Sequence, residues 1–298
     1  MDTKVDADTA ASEHNDHLES LKYNPALGRR FVLSTLPVGF ALAVQPVSAA
    51  VITTDDKGLV AGEVKFKTTD IEIPGYRARP AAVKNAPVVL VIEEIFGIHE
   101  HIKDICRRLA KAGYYAIAPE LFARQGDATK YEDIQKLFTE IISKVDDEQT
   151  RVDMDAAIAF AKSEGANTDK LGVTGFCYGG RQTWLYTAKN PNVKAGVAWY
   201  GGLVPGRIPA KVDPIMVADK MKGRVLGLYG GQDTGIPMEH VEKMREALKA
   251  AGDTKSEIFV YPDAPHGFNA DYRPSYREET AKDAWAKMLA WFKANGVG

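Results

Sequence analysis

The stretch Leu171–Trp184, "LGVTGFCYGGRQTW", joins an apolar run to a helical one through Gly175-Phe176-Cys177-Tyr178-Gly179. A sharp strand-to-helix turn needs small residues on either side of the exposed central side chain, because larger ones would meet neighbouring backbone. Gly175, Gly179 and Gly180 supply them. Such a turn lifts the Cys177 sulfur above a sheet and beside a helix N-terminus, whose partial positive charge favours thiolate. The competing reading is a buried structural thiol, the usual state of a free cysteine. The rest of the chain decides between them.

Outward from this turn, short apolar strands alternate with amphipathic helices. "EVKFKTTDIEIPGYRARP", from Glu63, alternates in polarity and carries Pro74-Gly75, which predicts a β-hairpin at a sheet edge. Val88 to Ile92 is a continuous apolar run, as in a strand buried on both faces. Ile98, Ile102, Ile105, Cys106 and Leu109 then recur at helical spacing, and "YYAIAPELF" is the next strand. Tyr131 to Lys162 reads as two helices broken near Val145–Asp147. "KLGVTGF", "KAGVAWYGG", "GRVLGLYGGQD" and "SEIFVYPDA" are further strands, and helices follow over Gly179–Lys189, Met238–Ala251 and Tyr276–Asn295. The pattern predicts an α/β domain with a mostly parallel sheet and helices on both faces. Function in such sheets gathers at the carboxyl ends of the strands.

Three chemistry-bearing residues fall there. Cys177 follows one strand, Asp233 ends "YGGQD" after the next but one, and His266 lies in "PDAPHGF" after the last. Alone, Asp233 reads equally as a cap for the helix near Pro237 or as a histidine partner, and a lone loop histidine is usually solvated. Together they occur in the chain order nucleophile, Asp, His of α/β-hydrolases, with separations of 56 and 33 residues. That order makes a Cys177–His266–Asp233 triad the reading of choice. Glu93 and Glu94 end the first buried strand, where desolvation demands a partner for at least one of them.

"EEIFG", "APELFARQ", "GFCYGG", "YGGQD" and "PHGF" together resemble the dienelactone hydrolases, or carboxymethylenebutenolidases, from about Glu63 to the C-terminus. The resemblance implies an α/β-hydrolase fold and a hydrolase acting on a small-molecule ester, lactone or thioester. It implies Cys177 as nucleophile with His266 and Asp233, and Glu94 as the group that takes the thiol proton when substrate binds. It also implies an oxyanion hole from the backbone N–H groups of Tyr178 and Ile95, the donors this fold presents. No metal or organic cofactor is required.

The match departs in its substrate-binding cations. Ala270 stands where the family carries an arginine after the histidine; Arg273 substitutes only if that loop folds back. Lys136 is the weak counterpart of the second arginine, and Arg124 reads as a loop support. Tyr200, in "WYGG", is read either as a pocket wall or as core. The missing arginines keep a general carboxylesterase open as the alternative, and a non-catalytic binding protein is the rival from another class.

The chain has 298 residues, a formal net charge of −2, and 45% hydrophobic and 26% charged residues. That balance leaves no footprint for nucleic acid or an anionic membrane. His99, His101 and Cys106 in "HEHIKDIC" invite a metal reading, but residues two apart on a helix diverge. They read instead as polar residues at a helix start, and "KVDDEQTRVDMD" as a cap and solvated helix face. Cys106 belongs to a buried stripe, which argues against a disulfide with Cys177.

Residues 1–49 differ from residues 50–298, the hydrolase-like domain. Met1 to Ala26 reads as a disordered polar lead. Arg29-Arg30, an apolar run from Phe31 to Val47 and Ser48-Ala49-Ala50 then resemble a twin-arginine export signal. The expectation is engagement of the export machinery and a periplasmic or secreted location, with no stable membrane span after processing. An uncleaved segment anchoring the protein in the membrane is the alternative.

Overall fold

The computed structural model describes residues 52–205 and 212–298, so the export-signal reading falls outside the described residues. An eight-stranded sheet forms the centre: β1 (Leu59–Lys67), β2 (Glu72–Pro80), β3 (Pro87–Ile92), β4 (Tyr115–Pro119), β5 (Asn167–Phe176), β6 (Val193–Trp199), β7 (Arg224–Gly230) and β8 (Glu257–Tyr261). Their order is β1-β2-β4-β3-β5-β6-β7-β8. The pairs made by β2 with β1 and β4 are antiparallel, and every other pair is parallel. The helices are α1 (Glu100–Lys111), α2 (Ile134–Glu140), α3 (Asp147–Ser163), α4 (Tyr178–Lys189), α5 (Met238–Ala250) and α6 (Glu278–Ala294).

The predicted hairpin is present, but its turn is not at Pro74-Gly75. Those residues lie inside β2, paired with Lys65 and Val64, and the chain reverses at residues 68–71. Thr68 makes the turn: its N–H donates to the Ile71 carbonyl at 2.8 Å and its hydroxyl to Asp70 at 3.0 Å. A side chain that closes the backbone on itself here replaces the Pro-Gly signal.

β3 shows why helices cover both faces. Val89 and Val91 pack with Ile102 and Ile105 of α1 and Phe292 of α6, whereas Val88, Leu90 and Ile92 pack with Met154 and Ala157 of α3. These five of the six β3 side chains are fully buried, and each such burial stabilises the fold by roughly 1.5–3 kcal/mol. Chain order reverses at β3, which lies between β4 and β5, so a crevice opens beyond the ends of β3 and β5. The register pairs Ile92 with Gly175 and Phe176 with Trp199. Glu93-Glu94, Cys177 and Tyr200 therefore leave the sheet side by side.

Candidate active site

Cys177 caps α4 with φ 54° and ψ −110°, a conformation that costs a non-glycine residue roughly 1–3 kcal/mol. Its N–H donates to the Trp199 carbonyl at 3.0 Å, and its carbonyl accepts from the Arg181 N–H at 3.2 Å. A Cβ on Gly179 would stand 2.2 Å from the Ile92 carbonyl oxygen, and one on Gly175 would stand 2.2 Å from the carbonyl oxygen of Gly179. The two glycines thus let α4 start against the ends of β3 and β5, and the half-buried Cys177 side chain emerges above them.

Of its two sequence readings Asp233 takes that of histidine partner; it closes the turn before α5 but does not cap the helix, whose N-cap is Pro237. Oδ1 accepts from the Gly235 and Ile236 N–H groups at 2.9 and 3.0 Å, while Oδ2 meets His266 Nδ1 at 2.7 Å. His266 is buried, not solvated, and Tyr200 stands edge-on to its ring at 5.1 Å. Burial alone would lower the imidazole pKa. The Asp233 carboxylate, then the charge and hydrogen bond of Cys177, outweigh that and push it up to about 10. The ring thus lies between Asp233 and Cys177, with a strong preference for its protonated form.

Glu94 is fully buried in a second set of polar groups. Tyr272 Oη donates to Oε2 in a short hydrogen bond, His99 Nε2 lies 3.4 Å from the same oxygen, and Arg273 stands 3.8 Å from Oε1. Burial opposes charge on this carboxyl, yet Arg273 with His99 holds it well below the usual carboxylate range. The loop after His266 does fold back. Ala270 N–H donates to the Gly267 carbonyl, Arg273 N–H to Ala270 and Arg277 N–H to Phe268, and these turns return Arg273 to Glu94. Its guanidinium lies 4.8 Å over the Phe96 ring and 5.1 Å over Tyr272, and its charge acts on Cys177.

The cleft at Cys177 is small, about 40 Å³, and is bordered by Ile95, Phe138, Tyr178, Tyr200, Val204 and Ile236 with His266. Tyr200 therefore lines the cleft and, like its neighbour Trp199, is also fully buried in the core. The Tyr178 phenol is engaged by Gln182 at 3.0 Å and lies beside Thr150, so its backbone is the part nearest Cys177. As the first residue of α4, its amide has no intrahelical acceptor. A larger hollow of about 430 Å³ lies behind Tyr178, bordered by α3 and α4, and does not reach Cys177.

Several expectations are corrected. His99 and His101 do stand at the start of α1, and both are buried there: their rings stack at 6.0 Å, and His101 Nδ1 meets Asp271 at 3.0 Å. The α3 segment is only partly a solvated face. Asp146 caps it, but Asp147 pairs with Arg181 at 2.7 Å and buried Asp153 with Arg124. Lys136 stays exposed on α2 beside Glu140 and does not reach the cleft. Arg124 does support its loop, bridging Asp153 and Asp70. Cys106 is buried in the core among the α1 stripe, and both cysteines are free. The sequence reading missed Tyr272, whose only signal was its place beside Arg273. It also missed Phe138, Val204 and Ile236, which arrive from three separate segments.

A sequence profile of the dienelactone hydrolase family matches residues 73–296. A protein of Methylorubrum extorquens named "Putative carboxymethylenebutenolidase" is 56% identical over 285 residues, covering 94% of this chain and 97% of its own. One of the same name from Salmonella typhimurium is 51% identical over 265 residues, 88% of this chain and 98% of that protein. Among solved structures, a "Putative Dienelactone Hydrolase" from Klebsiella pneumoniae superposes with TM-score 0.76 at 50% identity. That superposition covers 79% of this chain and 98% of that one. An acylaminoacyl peptidase of Pyrococcus horikoshii, 17% identical with TM-score 0.64 over 80% of this chain and 42% of that one, shares the fold alone.

Proposed function

This chain belongs to the dienelactone hydrolase family, a family of hydrolases, and from that premise we propose that it cleaves an ester, lactone or thioester through Cys177, His266 and Asp233. The observation that carries the reading is the 2.7 Å contact of Asp233 with His266 Nδ1, which turns the other edge of the ring toward a cysteine at a strand-to-helix elbow. Asp233 fixes the tautomer and stabilises the imidazolium. Cys177 loses its proton and its sulfur attacks the carbonyl carbon. The Tyr178 and Ile95 amides receive the oxyanion, each donor lowering the barrier by about 3–4 kcal/mol. His266 protonates the leaving oxygen, then takes a proton from water, which attacks the thioester and returns the thiol.

Glu94 gates the first step. At rest Arg273, His99 and Tyr272 keep it ionised and occupied. A substrate carboxylate that takes Arg273 would free Glu94 to accept the thiol proton. Arg273 supplies the cation that Ala270 does not, so an anionic lactone such as a dienelactone fits the reading. The apolar cleft of Ile95, Phe138, Val204 and Ile236 supports a second reading, a carboxylesterase of neutral esters. Hydrolysis of cis-dienelactone and of a neutral nitrophenyl ester, with Arg273→Met alongside, separates them. Selective loss of dienelactone turnover supports the first reading, and turnover of the neutral ester alone supports the second.

The Arg29-Arg30 motif, apolar run and small-residue end support export to the periplasm or beyond. N-terminal sequencing of the protein from fractionated cells tests it: a start near Ala50 supports export, and an intact Met1 in the cytoplasm opposes it. Among the described residues, no helix is long and apolar enough to cross a membrane.

A further inference from the structure

Glu93 and Glu120 play no part in the chemistry above, yet they stand immediately behind it. Glu93 leaves β3 and is fully buried; its Oε1 accepts from the Leu121 N–H, on the exit of β4, at 2.8 Å. Glu120 leaves β4, and its Oε2 accepts from the Ile98 N–H, on the exit of β3, at 2.9 Å. Each strand end thus holds the loop that leaves its neighbour. The remaining oxygens, Glu93 Oε2 and Glu120 Oε1, are buried with no donor among the described residues, and each carboxyl counts the other as a side-chain hydrogen-bond partner. Two carboxylates cannot face each other in such a place, so one proton must lie between them.

We propose that Glu93 and Glu120 share one proton and act as a titratable clasp that holds the Glu94–Ile98 loop, and with it the Ile95 amide, in position beside Cys177. The proposal rests on the oxyanion role of Ile95 put forward above; the clasp itself does not. The two are positioning residues. Among the described residues, no cation faces the pair directly. Asp127, on the turn beyond β4, acts on Glu120 and raises it further, and Lys130 of that turn is drawn to Asp127 at 3.2 Å. Glu94, the residue after Glu93, is engaged by Arg273, His99 and Tyr272, and Arg124 beyond β4 by Asp153 and Asp70. Burial raises both carboxyls; the charge of Glu120 then raises Glu93 further, while Glu120 is pushed up to about 7, held down by the Ile98 and Phe122 amides and by its hydrogen bond with Glu93.

The sign follows from linkage. A carboxyl whose folded pKa is raised gives stability that is complete below its unfolded value of ~4.3 and is lost as pH rises through the folded value. Above that pH the carboxylates repel, and the two loops they hold separate.

Glu93→Gln and Glu120→Gln each replace the shared proton by an amide N–H while keeping the carbonyl that accepts from Leu121 or Ile98. Melting temperature and kcat on a neutral ester are measured for the whole protein from pH 5 to pH 9.5. The expected result is a melting temperature that falls with pH in the parent more steeply than in either variant, so that the curves converge or cross toward high pH. The alkaline fall in kcat should move upward by at least about one pH unit in the variants, with KM changed less than ~3-fold. Parallel melting curves overturn the clasp, as do variants destabilised equally at every pH. Melting curves that converge as expected, with an unmoved kcat profile, keep the clasp and remove the Ile95 role.

Discussion

Asp233→Asn isolates the charge in the 2.7 Å contact with His266 Nδ1 while keeping the size of the side chain. The amide oxygen can still accept from Gly235 and Ile236, as Oδ1 does now, so the loop keeps its local closure. The amide NH2 then faces Nδ1 and forces that nitrogen to accept. The proton moves to the edge of the ring facing Cys177, which can no longer take one from the sulfur. The imidazole stands at about 10 with Asp233 present, and Asp233 is the largest of the influences raising it. A return toward ~6.5 would remove about 3.5 pKa units, or roughly 5 kcal/mol of imidazolium stabilisation. Part of the shift belongs to the Cys177 charge, so about 3–4 kcal/mol is the share carried by Asp233, a loss of ~10²–10³-fold in kcat/KM. The variant should also lose the stability that a raised histidine contributes, which is complete below ~6.5 and disappears as pH rises through about 10. Steady-state hydrolysis of a nitrophenyl ester, with melting curves at pH 6 and pH 9, reads both effects. A variant within ~3-fold of the parent in kcat/KM, or one that loses as much stability at pH 9 as at pH 6, refutes the reasoning.

Arg273→Met removes the cation held against Glu94 and should raise KM for carboxylate-bearing esters by at least ~10-fold while changing KM for neutral esters by less than ~3-fold; equal effects on both would deny Arg273 a substrate role. Glu94 is depressed, so its contribution to stability is present above ~4.3 and lost as pH falls. The same variant should therefore show a flatter acid limb in melting temperature, and an unchanged limb would show that Arg273 does not hold Glu94. Gly179→Ala places a Cβ 2.2 Å from the Ile92 carbonyl oxygen and should cost more than ~4 kcal/mol, read by urea unfolding; a cost under ~1 kcal/mol would mean that the elbow is not closed in this way.

The order of strands and helices and the Cys177–Asp233–His266 constellation were legible because each depends on local pattern. A Gly-x-Cys-x-Gly, an Asp at a strand exit and a His on the next loop carry their positions with them. What was not legible depends on where chains return. Arg273 reaches Glu94 only because three successive turns fold the loop after His266 back on itself, and no spacing rule reports that. His99 and His101 sit two apart, and their burial follows from Tyr272 and Asp271 packing on them from the far end of the chain. The need for a partner at Glu93 or Glu94 was clear from desolvation, but the identity of Glu120 required the β3–β4 pairing. The hairpin turn was misplaced because Pro74-Gly75 is a stronger turn signal than Thr68–Ile71, yet it lies within the paired part of β2.

The central claim is that Cys177 is the nucleophile. The most direct test is acid quench of the parent protein during turnover of an activated ester, followed by intact-mass and peptide-mass analysis. The account predicts an added acyl mass on the peptide carrying Cys177, and neither adduct nor turnover in Cys177→Ala. An adduct on another residue, or undiminished turnover in Cys177→Ala, would contradict it.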